Sequence, residues 1–324
     1  MRPLPRLALL LIAAAVAAAG CTIPTEPEPD PPTEPASPPE AAEEPPPDDT
    51  EPADDADAAA VLEVTFFDVG QADAALVSAG DTDVLVDAGH WQRPTQVVER
   101  LDDHGVADLD LLVLSHWHAD HIGGAEAVLT EFTVDDVWVQ PATHDSQTYA
   151  RTVEVLEAAD VTVTEPRKGE RHDYGPLTVD VVGPGPQADP NDLHDAGVAV
   201  RASTGGGSVL FTGDAEAETE ARYAAEVPEL LDADVLAVGH HGSYTSSTAP
   251  LLDAVDPQVA VYSAGRDNEY DHPHDVALNR LVDVGAEVFG TDVHGTVTVT
   301  VADGQVQVDP ETDQPPMASA STAD

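Results

Sequence analysis

Six consecutive residues, His116-Trp117-His118-Ala119-Asp120-His121, constrain this chain more than any other stretch. They follow an apolar run from Leu109 to Leu114, broken only at Asp110, that reads as a buried strand. They leave through Gly123-Gly124. Four of the six carry metal-binding donors, since imidazole and carboxylate bind zinc at about 2.0–2.2 Å. Side chains alternate along extended backbone, so His116 and His118 point to one side. Asp120 and His121 sit where the chain turns and can face a second ion. One short segment therefore predicts two neighbouring divalent metals. Zinc suits imidazole and carboxylate donors best, and manganese suits a similar set. The chain holds 13 histidines, so isolated ones carry no weight. His90, His104, His144, His172, His274 and His294 lie in no motif and receive no role.

The rest of residues 61–310 alternates strand and helix patterns, as one large domain of the α/β class does. Strand-like runs are Val61 to Phe67, Ala74 to Val77, Val84 to Val86, Val137 to Val139, Leu177 to Val182 and Val198 to Ala202. Others follow at Val209 to Phe211, Val235 to Val238, Val259 to Val261, around Val288, and at Val297 to Val301. Helical spacing covers Thr95 to Leu101, Ala125 to Leu129, Gln147 to Ala158, Glu216 to Ala225 and Val276 to Val284. Several polar motifs sit where a strand ends, the usual place for functional loops on a rigid frame.

The segment LSHWHADHIGG resembles the HxHxDH motif of the metallo-β-lactamase superfamily, and the likeness extends along the domain. FFDVGQADAALV and VLVDAG resemble its first three strands, VLFTGD the segment with a bridging aspartate, and LAVGHHGSYTSST the segment with its last histidine. NEYDHPH and GAEVFGTDVHGTVTV complete the match. Together they look like the soluble hydrolase domain of the competence protein ComEC. That subgroup usually shows GQGD where this chain has Gly70-Gln71-Ala72-Asp73, a departure close to the site.

The resemblance implies a four-layer αββα sandwich with two metals at one edge. His116 and His118 would hold one metal, and Asp120 and His121 the other. Asp214 would bridge both, its alternative being a helix cap. His194 would complete the first metal, although the competence subgroup commonly has asparagine and serine there; otherwise it is a surface histidine. Of the pair after Val238, His241 is assigned to the second metal and His240 to the substrate, with the reverse also open. Asp87 would orient a ligating imidazole, or be an ordinary turn aspartate. Asp120, His240, Asn268 and His272 form the catalytic set. His272 would give a proton to the leaving oxygen or bind phosphate.

The ends read differently. Arg2 and Arg6 precede an apolar stretch from Leu7 to Ala19, a signal-peptide pattern over residues 1–20 that is too short to span a bilayer. Cys21, the single cysteine, stands where a lipoprotein signal is cut and lipid attached. Proline, acid and alanine fill residues 22–60, too few large apolar groups to offset ordering entropy. Extended, they would hold a domain on the order of 100 Å from a membrane. Residues 311–324 read as a similar loose tail. The net charge is −50. Strong salt screens such self-repulsion, so the composition suits a salt-loving source.

These features point to a lipid-anchored hydrolase on the outer face of the cell membrane. Two metals about 3.5–4 Å apart lower the pKa of a bound water towards 7 and clamp attacking and leaving oxygens. The resemblance implies hydrolysis of a phosphodiester, DNA foremost, by a metal-bridging hydroxide, with a separate membrane transporter for any uptake role. Hydrolysis of a small lactone, thioester or phosphocholine ester is the enzymatic alternative. A metal-stabilised binding module without catalysis is the other. The sequence shows no basic stripe and little aromatic interleaving for bases.

Overall fold

The computed structural model describes residues 60–317. The signal segment, Cys21, the linker up to residue 59 and the tail from residue 318 lie outside the described residues. Among the described residues, no helix is long and apolar enough to cross a membrane.

The first half of the domain runs β1 (Leu62–Phe66), β2 (Ala75–Ala79), β3 (Thr82–Val86), α1 (Gln96–Asp103), β4 (Asp108–Leu114), α2 (Ala125–Glu131), β5 (Thr133–Val139), α3 (Gln147–Ala158) and β6 (Thr162–Thr164). Next come β7 (Arg171–Tyr174), β8 (Leu177–Gly183), β9 (Ala199–Ser203), β10 (Ser208–Phe211), α4 (Ala217–Glu226), β11 (Val235–Ala237), α5 (Ala249–Val255), β12 (Val259–Tyr262), α6 (Asp275–Asp283) and β13 (Glu287–Gly290). The chain closes with α7 (Thr291–His294), β14 (Val297–Ala302) and β15 (Gln305–Pro310).

Two sheets result. One has the order β15-β14-β1-β2-β3-β4-β5-β6, the other β13-β12-β11-β10-β9-β8-β7. In each, an antiparallel half joins a parallel half: β3 to β6 run parallel in the first, and β10 to β13 in the second. Alternation along β4 shows how the layers form. Leu111 and Val113 enter the core between the sheets, with Val84, Val179, Val209 and Val259. Leu112 and Leu114 face the other way and pack with Val97 and Leu101 of α1, Val128 of α2 and Leu156 of α3. The second sheet buries its outer face under Tyr223 of α4, Leu251 and Leu252 of α5, and Leu278 and Leu281 of α6. The fold is thus the αββα sandwich.

Polar edge strands escaped the apolar pattern. β7 has the sequence Arg-His-Asp-Tyr and is a strand through its ladder to β8. The expectation of a loose tail from Glu311 fails over residues 311–317. Thr296 N donates to Glu311 Oε2 at 3.0 Å, Thr312 N donates to His294 O at 3.0 Å, and Met317 N donates to Val288 O at 2.8 Å, which runs the segment past α7 and brings its end onto β13. Met317 also packs against the core beneath the helices of the second sheet.

The parallel halves matter for function. The carboxyl ends of β3, β4, β10, β11 and β12 lead into the segments carrying Asp87, His116 to His121, Asp214, His240 to His241 and Ser263. Parallel strands deliver their chain ends to one side, so five segments distant in sequence share one edge of the sandwich.

Candidate metal centre

After β4, alternation turns Trp117 inward, where its indole N–H donates to Ala142 O at 2.7 Å. His116 and His118 thereby face the opposite side. His116 Nε2 lies 3.0 Å from His118 Nδ1, and His194 Nε2 lies 3.1 Å from the same nitrogen. Asp214 Oδ2 is 3.6 Å from His116 Nε2 and 3.8 Å from His194 Nε2. Four donors on a tetrahedron with bonds of about 2.0–2.1 Å are about 3.3–3.4 Å apart. The observed separations bracket that edge, so these four residues fit one zinc-sized cation. His194, left open between ligand and surface residue, sits in this group.

Asp214 extends the site to a second group. Its Oδ1 is 3.4 Å from His121 Nε2, while Oδ2 serves the first group. His241 Nε2 lies 3.3 Å from Asp120 Oδ2. Asp214 Oδ1, His121 Nε2 and His241 Nε2 are buried and have no hydrogen-bond partner among the described residues. An orphaned buried polar atom costs about 1–3 kcal/mol, and a cation between these atoms would satisfy all three. The residues therefore fit two metals, with Asp214 placed to bridge them. Asp73 also belongs to the group of His121, Asp214 and His241. Its carboxylate lies nearest the outer nitrogens, 3.8 Å from His121 Nδ1 and 3.6 Å from His241 Nδ1. Sequence reading noted its segment as a departure and gave it no role.

Hydrogen bonds fix which nitrogen faces the metals. His121 Nδ1 meets Asp87 Oδ2 at 2.7 Å, and His241 Nδ1 donates to Ser263 O at 3.0 Å. Ser115 adds a link unseen in the sequence. Its N–H and hydroxyl donate to the two oxygens of Asp87, both at 2.7 Å, and its Oγ is 3.1 Å from His116 Nδ1. Asp87 is 2 % exposed and holds a left-handed φ of 61°. It braces His121 directly and His116 through Ser115. Such outer contacts orient ligating rings.

His240 and His241 are separated by backbone geometry. Both adopt left-handed φ values, 51° and 55°. L-residues resist that conformation by about 1–2 kcal/mol each. The reversal sends His241 inward, 2 % exposed, and His240 towards the cleft. His240 Nε2 stays 3.7 Å from Asp214 Oδ2, and its Nδ1 is 3.2 Å from Thr245 Oγ1. Gly123 and Gly124 are required by close approach: a Cβ on Gly123 would lie 2.0 Å from Trp91 N, and one on Gly124 2.4 Å from Ala88 O.

Charge follows burial. Burial and the neighbouring His121 hold His116 well below the ordinary imidazole range. Burial, then His194 and His121, lower His118 to about 4. Both are thus neutral, the form that binds metal. Burial opposes the charge of Asp214, but His121 foremost outweighs it and keeps its pKa well below normal. Burial likewise opposes protonation of His241, but the nearby carboxylates of Asp73, Asp120 and Asp214 raise it to about 9.

A cleft of about 370 Å³ opens over the groups, lined by Asp120, His240 and His272 among others. His144, which lies in no sequence motif, also lines it. Asn268 departs from its expected catalytic place. Its amide nitrogen donates to Gly265 O and His272 O, and its oxygen accepts from Tyr270 N and His272 N. With both ends occupied by backbone, it shapes the loop that carries His272.

Comparison with known proteins agrees with this architecture. Residues 67–266 match the family described as the metallo-beta-lactamase superfamily. ComE operon protein 3 of Bacillus subtilis is 31 % identical over 253 residues, covering 72 % of this chain and 32 % of that protein. Competence protein ComA of Neisseria gonorrhoeae is 31 % identical over 245 residues, covering 75 % and 33 %. The chain thus spans about a third of the length of these relatives. The metallo-beta-lactamase fold protein YhfI from Bacillus subtilis superposes with a TM-score of 0.52 at 15 % identity, covering 77 % of this chain and all of that one. On the family match and the sandwich, this chain belongs to the metallo-β-lactamase superfamily, as a member resembling about a third of the length of these relatives.

Proposed function

We propose that this metal-dependent hydrolase is a phosphodiesterase that cleaves DNA outside the cell. The carrying observation is the split of Asp214, with Oδ2 towards His116 and His194 and Oδ1 towards His121. One carboxylate set between two groups of imidazoles suits a pair of divalent metals, with donors of the kind that zinc or manganese takes. Such a pair, when bound, activates water and offsets charge on the attacking and leaving oxygens. The choice of a phosphodiester is supported by the competence proteins that the domain resembles.

The chain's own residues divide the work. Asp87, Ser115 and the Ser263 carbonyl hold the imidazoles in one orientation. Burial, then His241 and His240, lower His272 to about 4. It is neutral at pH 7, so of the two roles open to it, proton donor to the leaving oxygen or phosphate binder, it serves as the second, a hydrogen-bond donor to a phosphate oxygen. Its Nδ1 faces Gln71 Nε2 at 3.5 Å, which leaves Nε2–H for the substrate. The membrane side of the proposal rests on sequence alone: export, a lipid at Cys21, and a separate transporter if cleavage serves uptake.

The test uses the full chain in strong salt. Metal content is measured, and single-stranded DNA and bis-p-nitrophenyl phosphate are offered with and without chelator. About two metals per chain and chelator-sensitive DNA cleavage are expected. Cleavage of the small ester alone would move the substrate to small phosphodiesters, and folded protein that takes up no metal would overturn the proposal.

A further inference from the structure

The described residues contain ten lysines and arginines. Arg151, Lys168, Arg171 and Arg222 are neutralised by Glu126, Glu226, Asp180 and Asp195. Three others, Arg93, Arg100 and Arg266, line one groove of about 610 Å³. Among the described residues, none of the three forms an ion pair. Arg266 Nε donates to Asp292 O at 2.6 Å, which leaves its terminal amines available. Arg100 makes only a long contact, 3.5 Å, to Asp68 O. The one acid lining the groove is Asp68, whose Oδ1 accepts from Gly70 N at 3.2 Å.

In a chain with 62 acids and 12 lysines and arginines, three unpaired guanidinium groups in one groove are unusual. Acids to neutralise them abound, yet apart from Asp68 the other polar positions there are glutamine and asparagine amides and the imidazole of His90. Guanidinium is planar, stays charged, and matches phosphate oxygens in pairs.

The groove also adjoins the metal cleft. Gln71 lines both. Its Oε1 accepts from Gly265 N at 3.0 Å on the groove side, while its amide faces His272. Two exposed rings flank the junction. Trp91 is 52 % exposed, and its backbone N–H donates to the carbonyl of Ala119, a cleft residue. Tyr270 is 56 % exposed and stacks on His272 with centroids 5.7 Å apart. A cationic groove beside exposed aromatic faces is the arrangement that holds single-stranded nucleic acid.

We propose that the groove of Arg93, Arg100 and Arg266 is a phosphate-binding subsite for the backbone of single-stranded nucleic acid beside the scissile phosphodiester, with Trp91 and Tyr270 as stacking faces for its bases. This inference rests on the phosphodiesterase reading for its place in catalysis. Its binding test does not.

The full chain and the triple variant R93Q/R100Q/R266Q are titrated against a fluorescent single-stranded deoxyoligonucleotide by anisotropy, in chelator, over a range of salt. The parent chain should bind with strong salt dependence. The triple variant should bind at least about tenfold more weakly at low salt, and the slope of log affinity against log salt should fall by about 2, since each neutralised phosphate of a single strand contributes about 0.7. Arg93 is exposed and its side chain makes no hydrogen bond among the described residues, so R93Q alone, with a slope change of about 0.7, covers the case of a misfolded triple variant. With metal restored, the drop in kcat/KM should be at least about tenfold larger for the oligonucleotide than for bis-p-nitrophenyl phosphate. Equal binding by parent and variants, or no binding by the parent, overturns the subsite. Arginine-dependent binding by a chain that cleaves no DNA keeps the subsite and removes the nuclease reading.

Discussion

The two metal groups are held in different ways. In the second, His121 and His241 are fully enclosed, and each outer nitrogen is fixed, by Asp87 or by the Ser263 carbonyl. In the first, His194 is 20 % exposed along its side chain and comes from the loop before β9. Its outer nitrogen has only Glu216 Oε1, at 3.7 Å. One group is set in place by folding, and the other is completed by a partly exposed side chain from the loop before β9, with no close partner to fix its outer nitrogen. The second group should therefore bind metal more tightly and retain it longer.

Asp214 is where this difference ends, because it serves both groups. Asp214→Ala should remove both metals and reduce hydrolysis to background, as read by metal analysis and turnover. Unchanged turnover would refute the two-metal arrangement. His194→Ala should separate the groups: metal content should fall towards about one ion per chain, with the second group keeping its metal. Loss of both ions together would show that the groups form one cooperative unit. Asp87→Asn acts more gently. Asparagine tolerates the left-handed backbone at this position, yet it weakens the hold on His121, so metal affinity should fall by about 10–100-fold. Titration with a chelating competitor measures this. An unaltered affinity would mean that the Asp87 contact contributes only to packing.

How these parts showed in the sequence follows from the same geometry. His116, His118, Asp120 and His121 were legible because a single strand end carries all four. Asp214 and the His240-His241 pair were legible because each follows an apolar strand run and a glycine. The choice between His240 and His241 needed the left-handed turn, which no residue type there announces. Ser115 gave no signal beyond its place before His116, and its bond to Asp87 spans 28 positions. The arginine groove was least visible. Arg93 precedes α1 and Arg100 lies in its last turn, while Arg266 follows β12, and only the packing of the two sheets joins them, through contacts such as Gln71 with Gly265, 194 positions apart. A search for a contiguous basic stripe cannot find such a site. Asn268 failed in the other direction: its motif placed it at the site, but its hydrogen bonds bind its own loop.

The smallest effect concerns pH and tests the cleft wall against the buried pair. His272 has a folded pKa lowered to about 4, by burial first and then by His241 and His240. An ordinary imidazole in the unfolded chain titrates near 6.5. Between those values the unfolded state takes up a proton that the folded state refuses, so stability falls as pH drops from about 6.5 to about 4. His241 has the opposite sign. Its folded pKa is raised to about 9, so its contribution is complete below about 6.5 and disappears as pH climbs through about 9. In the metal-free chain, melting temperature should therefore decline on both sides of a neutral maximum. His272→Gln should flatten the acid limb alone, by a small amount because the residue is partly exposed. If the substitution instead flattens the alkaline limb, His272 and His241 titrate as one coupled pair across their stacked rings, 6.1 Å apart, and the wall of the cleft is electrically part of the second metal group.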